Sequence, residues 1–161
     1  MKFAFYIVLA AILLALVAAQ IGLLSGQRPG DIGVKDGRLK PPSPTRNSVS
    51  SQAALMADHP QRAYASIDPL PLRAGGAAAS IKALETVLLA MPGVTIVEQR
   101  PGYLYAQAQT RWLKFVDDVE FWANPASGAI ELRSASRMGS EDFGVNRKRI
   151  EAIRAAYLAA P

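Results

Sequence analysis

Cysteine is absent from the 161-residue chain, and histidine occurs once, as His59. The first absence excludes disulfides, thiolate metal sites and a cysteine nucleophile. The second excludes zinc sites built from several histidines. The signatures of familiar chemistries are missing too. No Gly-x-Ser-x-Gly elbow precedes a helix, so Ser50, Ser51 and His59 do not read as serine-hydrolase parts. Gly139 and Gly144 lack the lysine and hydroxyl that complete a phosphate loop. Charged residues are scarce, 19% against 50% hydrophobic ones, and the formal charge is +5. That positive excess is not interleaved with aromatics as a nucleic-acid groove requires. Neither a metal, nor a cofactor, nor a nucleic-acid partner is expected.

What is present starts with an apolar run. Across residues 3–24 the only strongly polar side chain is Gln20. Some twenty apolar residues span the ~30 Å hydrocarbon layer. A cleaved secretory signal is the alternative, with Lys2 as its charged start and Val17-Ala18-Ala19 before the cut. Such signals have an apolar core of ~7–15 residues, and this run continues past that length. Residues 1–25 are therefore expected to be a retained single-pass anchor, with a signal sequence as the other reading. Lys2 favours a cytoplasmic N-terminus, whereas Arg28, Lys35, Arg38 and Lys40 pull the other way. The signal-like start tips the expectation towards a C-terminal domain outside the cytoplasm, periplasmic or extracytoplasmic.

Residues 26–60 are rich in Pro, Gly, Ser and basic side chains. The prolines of the KPPSP stretch oppose helix and central strand, so this segment is an extended linker or a wrapping arm. Beside a membrane, its basic excess would attract anionic head groups.

Residues 61–161 alternate between periods. Strands are expected at 63–70, 94–99, 103–109, 115–122 and 129–136, and helices at 77–91 and 145–159. Ile81, Leu84, Leu88 and Met91 form one helical stripe, and Ile150, Ile153 and Tyr157 another. Arg147, Lys148, Arg149 and Arg154 fall on the more exposed side. The order β-α-β-β-β-β-α predicts an α+β domain: an antiparallel sheet of about five strands with two helices on one face. The opposite face is left for solvent or for the arm.

The unusual polar chemistry lies between Phe115 and Arg149. Strand side chains alternate between faces, so Phe115, Asp117, Val119 and Phe121 share the core face and Asp118, Glu120 and Trp122 the other. Asp117 and Asp118 therefore cannot act together on one substrate atom. With Trp122 assumed opposite Ala129, Asp118 would face Arg133 in an exposed ion pair, and Glu120 would face Glu131. Asp117, pointing inward beside Ser134 and Ser136, needs hydrogen bonds or a cation. Arg137, Arg147 and Asn146 are the partners expected to tie it to the following loop. The expected binding set is thus Asp117, Ser134, Ser136, Arg137, Asn146 and Arg147, with no catalytic residue assigned.

Four stretches, GVKDGRL, RNSVSSQA, FVDDVEF and LRSASRMGSEDFGVNRKRIE, together resemble the domain of unknown function 1499 family over about residues 30–157. The resemblance implies no established activity; members are commonly exported or membrane-anchored. Two cysteines frequent in relatives correspond here to Pro42 and Ser48. Their joint loss is what pairing in the relatives implies, and it counts against a redox or metal role for this arm. Two functions stay open. One is a membrane-tethered, non-enzymatic binding or assembly module contacting an envelope protein or a small anionic ligand. The other is an enzyme using Asp117, Arg137 and Arg147. A cavity beside Asp117 where those groups converge would support the enzyme, and a closed, mutually satisfied network the binding module.

Overall fold

The computed structural model describes residues 1–160. Helix α1 (Lys2–Gln20) carries no proline or glycine to interrupt it, and its 19 residues extend about 28 Å at the usual rise. Its apolar circumference is exposed to the surroundings almost throughout. Ala19 alone is buried.

The sheet has six strands rather than five: β1 (Ser48–Ser50), β2 (Leu70–Pro71), β3 (Val94–Arg100), β4 (Tyr103–Gln109), β5 (Val116–Asn124) and β6 (Ala129–Ser136). Its order is β1-β6-β5-β4-β3, and β2 pairs with another part of β6. All pairings are antiparallel. β1 and β2 thereby share the outer edge of β6, at residues 133–135 and 129–130. Short strands are one way a sheet shields an edge from further pairing.

The expected strand at 63–70 does not form. Its first half is the single-turn helix α2 (Arg62–Ala65), Ser66 makes one isolated bridge to Ser50, and only Leu70 and Pro71 pair as a strand. Two features explain the difference. Pro69 and Pro71 have no N–H to give to a ladder, and the Arg147 guanidinium takes up the carbonyls of Tyr64 and Ser66.

Helices α3 (Gly76–Leu89) and α4 (Val145–Ala159) cover one face of the sheet. Ile81, Leu84 and Leu88 from α3, and Ile150, Ile153 and Tyr157 from α4, pack on Leu104, Val119, Phe121, Ile130 and Leu132. Each fully buried side chain of this kind is worth about 1.5–3 kcal/mol. α3 ends at Leu89, and Gly93 turns the chain into β3: its φ of +75° suits glycine, and a Cβ there would lie 2.5 Å from the Gln109 carbonyl oxygen.

The other face is not open to water. Residues 27–60 wrap across it, with Leu39, Ile32 and Val34 packed on Tyr103, Tyr105 and Trp122. The arm also supplies β1, and Gln52 accepts the Leu39 N–H at 2.8 Å. Over β4, β5 and β6 both faces of the sheet are therefore interior, which turns the polar residues of the second face there into buried ones.

Candidate functional site

At the end of the sheet nearest α4, β5 and β6 present Asp117 opposite Ser136 and Val119 opposite Ser134. α4 delivers Asn146 and Arg149 to the same place. Arg149 forms an ion pair with Asp117 and donates to Ser134 Oγ at 3.0 Å and Asn146 Oδ1 at 2.8 Å. Asn146 is fully buried. Its amide nitrogen donates to Ser136 Oγ, the Asn47 carbonyl and Asp142 Oδ2 at 3.0, 3.1 and 2.8 Å, and its Oδ1 accepts from Ser134 Oγ.

Asp142 caps the start of α4, accepting the backbone N–H of Gly144 at 2.9 Å and of Asn146 at 3.0 Å. It also accepts the Tyr64 hydroxyl. An anionic group at a helix N-terminus is favourable for the same reason that a hydroxyl or carboxylate cap is. Arm, sheet, loop and helix thus meet in one polar cluster.

Four of the expected residues, Asp117, Ser134, Ser136 and Asn146, come together here. Two do not. Arg137 turns to the opposite face of the sheet, and Arg147 serves the carbonyls of Tyr64 and Ser66. The cation that meets Asp117 is Arg149, expected on the exposed side. Its spacing held the signal: Asn146, Arg149, Ile150, Ile153 and Tyr157 follow the 3-4 rhythm of a single helical stripe.

The second face needs a larger correction. β5 and β6 pair Trp122 with Glu131 and Asn124 with Ala129, so Glu120 faces Arg133 and Asp118 faces Ala135. Asp118 is 1% exposed, not part of a surface pair. Arg137 grips it through Nε and Nη2 at distances down to 2.7 Å, and Tyr105 donates its hydroxyl to it at 2.6 Å. Beside it, Glu120 accepts from the Gly33 N–H at 2.8 Å and the Tyr103 hydroxyl at 2.9 Å. Arg133 Nη1 lies 3.5 Å from the other Glu120 oxygen. The arm's cover is what desolvates both pairs.

These environments move the titrations in opposite directions. Burial pushes the Glu120 carboxyl above its ordinary 4.5, more than Arg133 and its hydrogen bonds restore. Burial also acts to raise Asp142, but hydrogen bonds from Tyr64, Asn146 and Gly144 outweigh it and hold the group below 3.8. Burial and that carboxylate push the Tyr64 phenol up to about 12.

A raised carboxyl costs stability when ionised, and that cost is relieved as pH falls through the folded-state value. A depressed carboxyl contributes stability above 3.8 that is lost as pH falls through its lower folded-state value. Asp31, through Lys40, and Glu85, through Lys82, act in the second direction. Thermal melts should therefore hold or gain as pH falls towards 4.5 and drop once it passes below 3.8. Glu120→Gln should flatten the first part and Asp142→Asn the second. A steady decline starting at neutral pH would contradict the Glu120 assignment.

Next to Asp117 there is a groove of about 600 Å³. Asp117, Ser136 and Asp142 reach one side of it, but Phe115, Met138 and Phe143 dominate its walls. Asp117 itself is 5% exposed and committed to Arg149. Among the described residues no group of His, Asp and Glu is arranged to hold a metal ion. The arrangement can clamp the 137–146 loop against the sheet and can admit an apolar group alongside.

None of the curated proteins matches this chain. Residues 38–157 match a family described as a protein of unknown function, DUF1499, covering the arm from Arg38, the whole sheet, α3, and α4 as far as Tyr157; the chain belongs to that family.

Proposed function

We propose that this protein is a membrane-anchored, envelope-facing module that binds or assembles with a partner and carries out no catalysis. The observation supporting this reading is how the polar groups are used. Asp117, Arg149, Ser134, Asn146 and Asp142 satisfy one another, while the adjoining groove is mostly carbon. An enzyme built on Asp117, Arg137 and Arg147 needs those groups to converge on one substrate. They serve three separate places. The arginines also carry carboxylate or carbonyl partners already, which favours an apolar partner over a small anionic ligand.

The anchor is the part open to direct test. Full-length protein should remain with the membrane fraction after sodium carbonate extraction. A soluble mature form beginning near Gln20 would overturn the reading. A phosphatase fused after Pro161 should be active, since activity requires export.

A further inference from the structure

The connection between α1 and the domain is short and tightly held. The Gln20 side chain donates to the Trp112 carbonyl at 3.2 Å, and Ala19 is fully buried. Six residues after the helix ends, Gly26 takes a φ of +67°, and a Cβ there would lie 2.7 Å from Arg137 Cβ. These contacts place the last turn of α1 beside the 110–114 loop.

Around that point the surface is unusually apolar. Phe143 is 84% exposed and Trp112 65%, with Leu113, Met138 and Val145 also open. Leu24 lines the same groove as Phe143 and Met138, so groove and helix end form one continuous surface. Phe143 holds a φ of +51° and Lys114 one of +57°, a conformation that bulky side chains rarely take. The fold thus keeps an aromatic ring turned outward at a backbone cost. Contiguous exposed apolar surface of this kind marks an interaction site.

The charges beside Trp112 are cationic, whereas the groove itself is lined by Asp117, Glu141 and Asp142. Arg111 stacks over Trp112 at 5.0 Å, and Lys114 follows two residues later. The acidic groups nearby are engaged: Glu141 with Arg46, Asp117 with Arg149 and Asp142 with Tyr64 and the start of α4. Tryptophan next to basic residues, at the end of an apolar helix about 28 Å long, is the composition of a membrane–water boundary. Apolar faces bordered by Lys and Arg settle about 5–10 Å into that layer.

We infer that the face formed by Trp112, Leu113, Met138 and Phe143 is seated on the lipid surface from which α1 emerges. The anchor then fixes the orientation of the domain as well as its location. This inference rests on the retained anchor proposed above. It commits to lipid as the occupant because the face is continuous with the helix end and carries cations beside Trp112.

The sequence has two tryptophans, Trp112 and Trp122, so full-length Trp122→Phe protein reports from Trp112 alone. Reconstituted in nanodiscs of phosphatidylethanolamine and phosphatidylglycerol, it should lose most of its emission to lipids brominated near the carbonyl end of the acyl chain. It should lose less to lipids brominated near the methyl end. Trp112→Phe protein, reporting from Trp122 under the arm, should be quenched little by either. Leu113→Ser with Phe143→Ser should weaken the quenching while leaving carbonate resistance and the melting temperature unchanged. Equal quenching of the two tryptophans in carbonate-resistant protein would overturn the lipid face and leave the anchor standing. So would a Trp112 shielded from both bromine and aqueous iodide in native membranes supplemented with the brominated lipids, because a protein partner or second copy would then cover it. Release by carbonate would defeat the anchor itself, and the inference with it.

Discussion

Asp118→Ala should lower the melting temperature by roughly 6–20 °C, taking ~3–5 kcal/mol for a broken buried ion pair and ~2–4 °C per kcal/mol for a chain of this size. The carboxylate is held by three hydrogen bonds from Arg137 and one from Tyr105. Removing it leaves the largely covered Arg137 guanidinium with the Tyr105 hydroxyl as its remaining side-chain partner and its charge unpaired. Asp117→Ala should cost less, about 1.5–3 kcal/mol, the range for hydrogen bonds to charged groups. Arg149 would keep Ser134 and Asn146, and Asp117 already borders a groove. Calorimetry on the two single variants and on Asp118→Ala with Arg137→Ala provides the check. The double variant should recover part of the loss, since it leaves no buried charge unpaired. A loss from Asp118→Ala within ~1 kcal/mol, the range of an exposed pair, would show that the arm does not seal that face.

The order of those two effects reverses what strand parity alone suggests, and the arm is the reason. Alternation along residues 115–122 correctly separates Asp117 from Asp118, and the last helix and three central strands follow from period and turn residues. Alternation does not reveal whether the far side of a sheet is wet. That depends on residues 27–60, whose prolines and basic side chains suit a linker as well as a wrap. The contacts that decide it are long-range: Leu39 on Tyr103 and Tyr105, Gly33 on Glu120 and Ser51 on Glu131.

Register was the second limit. Placing Ala129 opposite Asn124 instead of Trp122 moves every partner by two. Faces survive such a shift, but pairs do not, so Glu120 meets Arg133 and Asp118 finds Arg137 beyond the strand end. Within the cluster around Asp117, the missed residue was Arg149. Counting arginines as solvated by default overrode a helical spacing that placed it beside Asn146.

Asn146→Ala should cost roughly 3–5 kcal/mol, as much as emptying a core position occupied by a large apolar side chain. Its side chain joins four separately folded parts: the Asn47 carbonyl of the arm, Ser134 and Ser136 of β6, Asp142 of the loop and Arg149 of its own helix. Alanine leaves several of these groups buried without partners, each costing about 1–3 kcal/mol, with relaxation making the sum less than additive. The effect should appear as a lower urea midpoint and as faster amide exchange through residues 137–146, because the loop loses its tie to the sheet. Asn146→Asp separates hydrogen bonding from volume. It keeps the acceptors for Ser134 and Arg149 but cannot donate to Asn47, and it sets a second carboxylate against Asp142. Like charges at that distance raise one of the two titrations, so the variant should be poorly stable at neutral pH. On mild acidification it should regain more stability than Asn146→Ala, which gains only what Glu120 contributes. Matching pH profiles for the two variants would mean that residue 146 fills space without organising the cluster, and the clamp on the loop would have to lie in Asp142 alone.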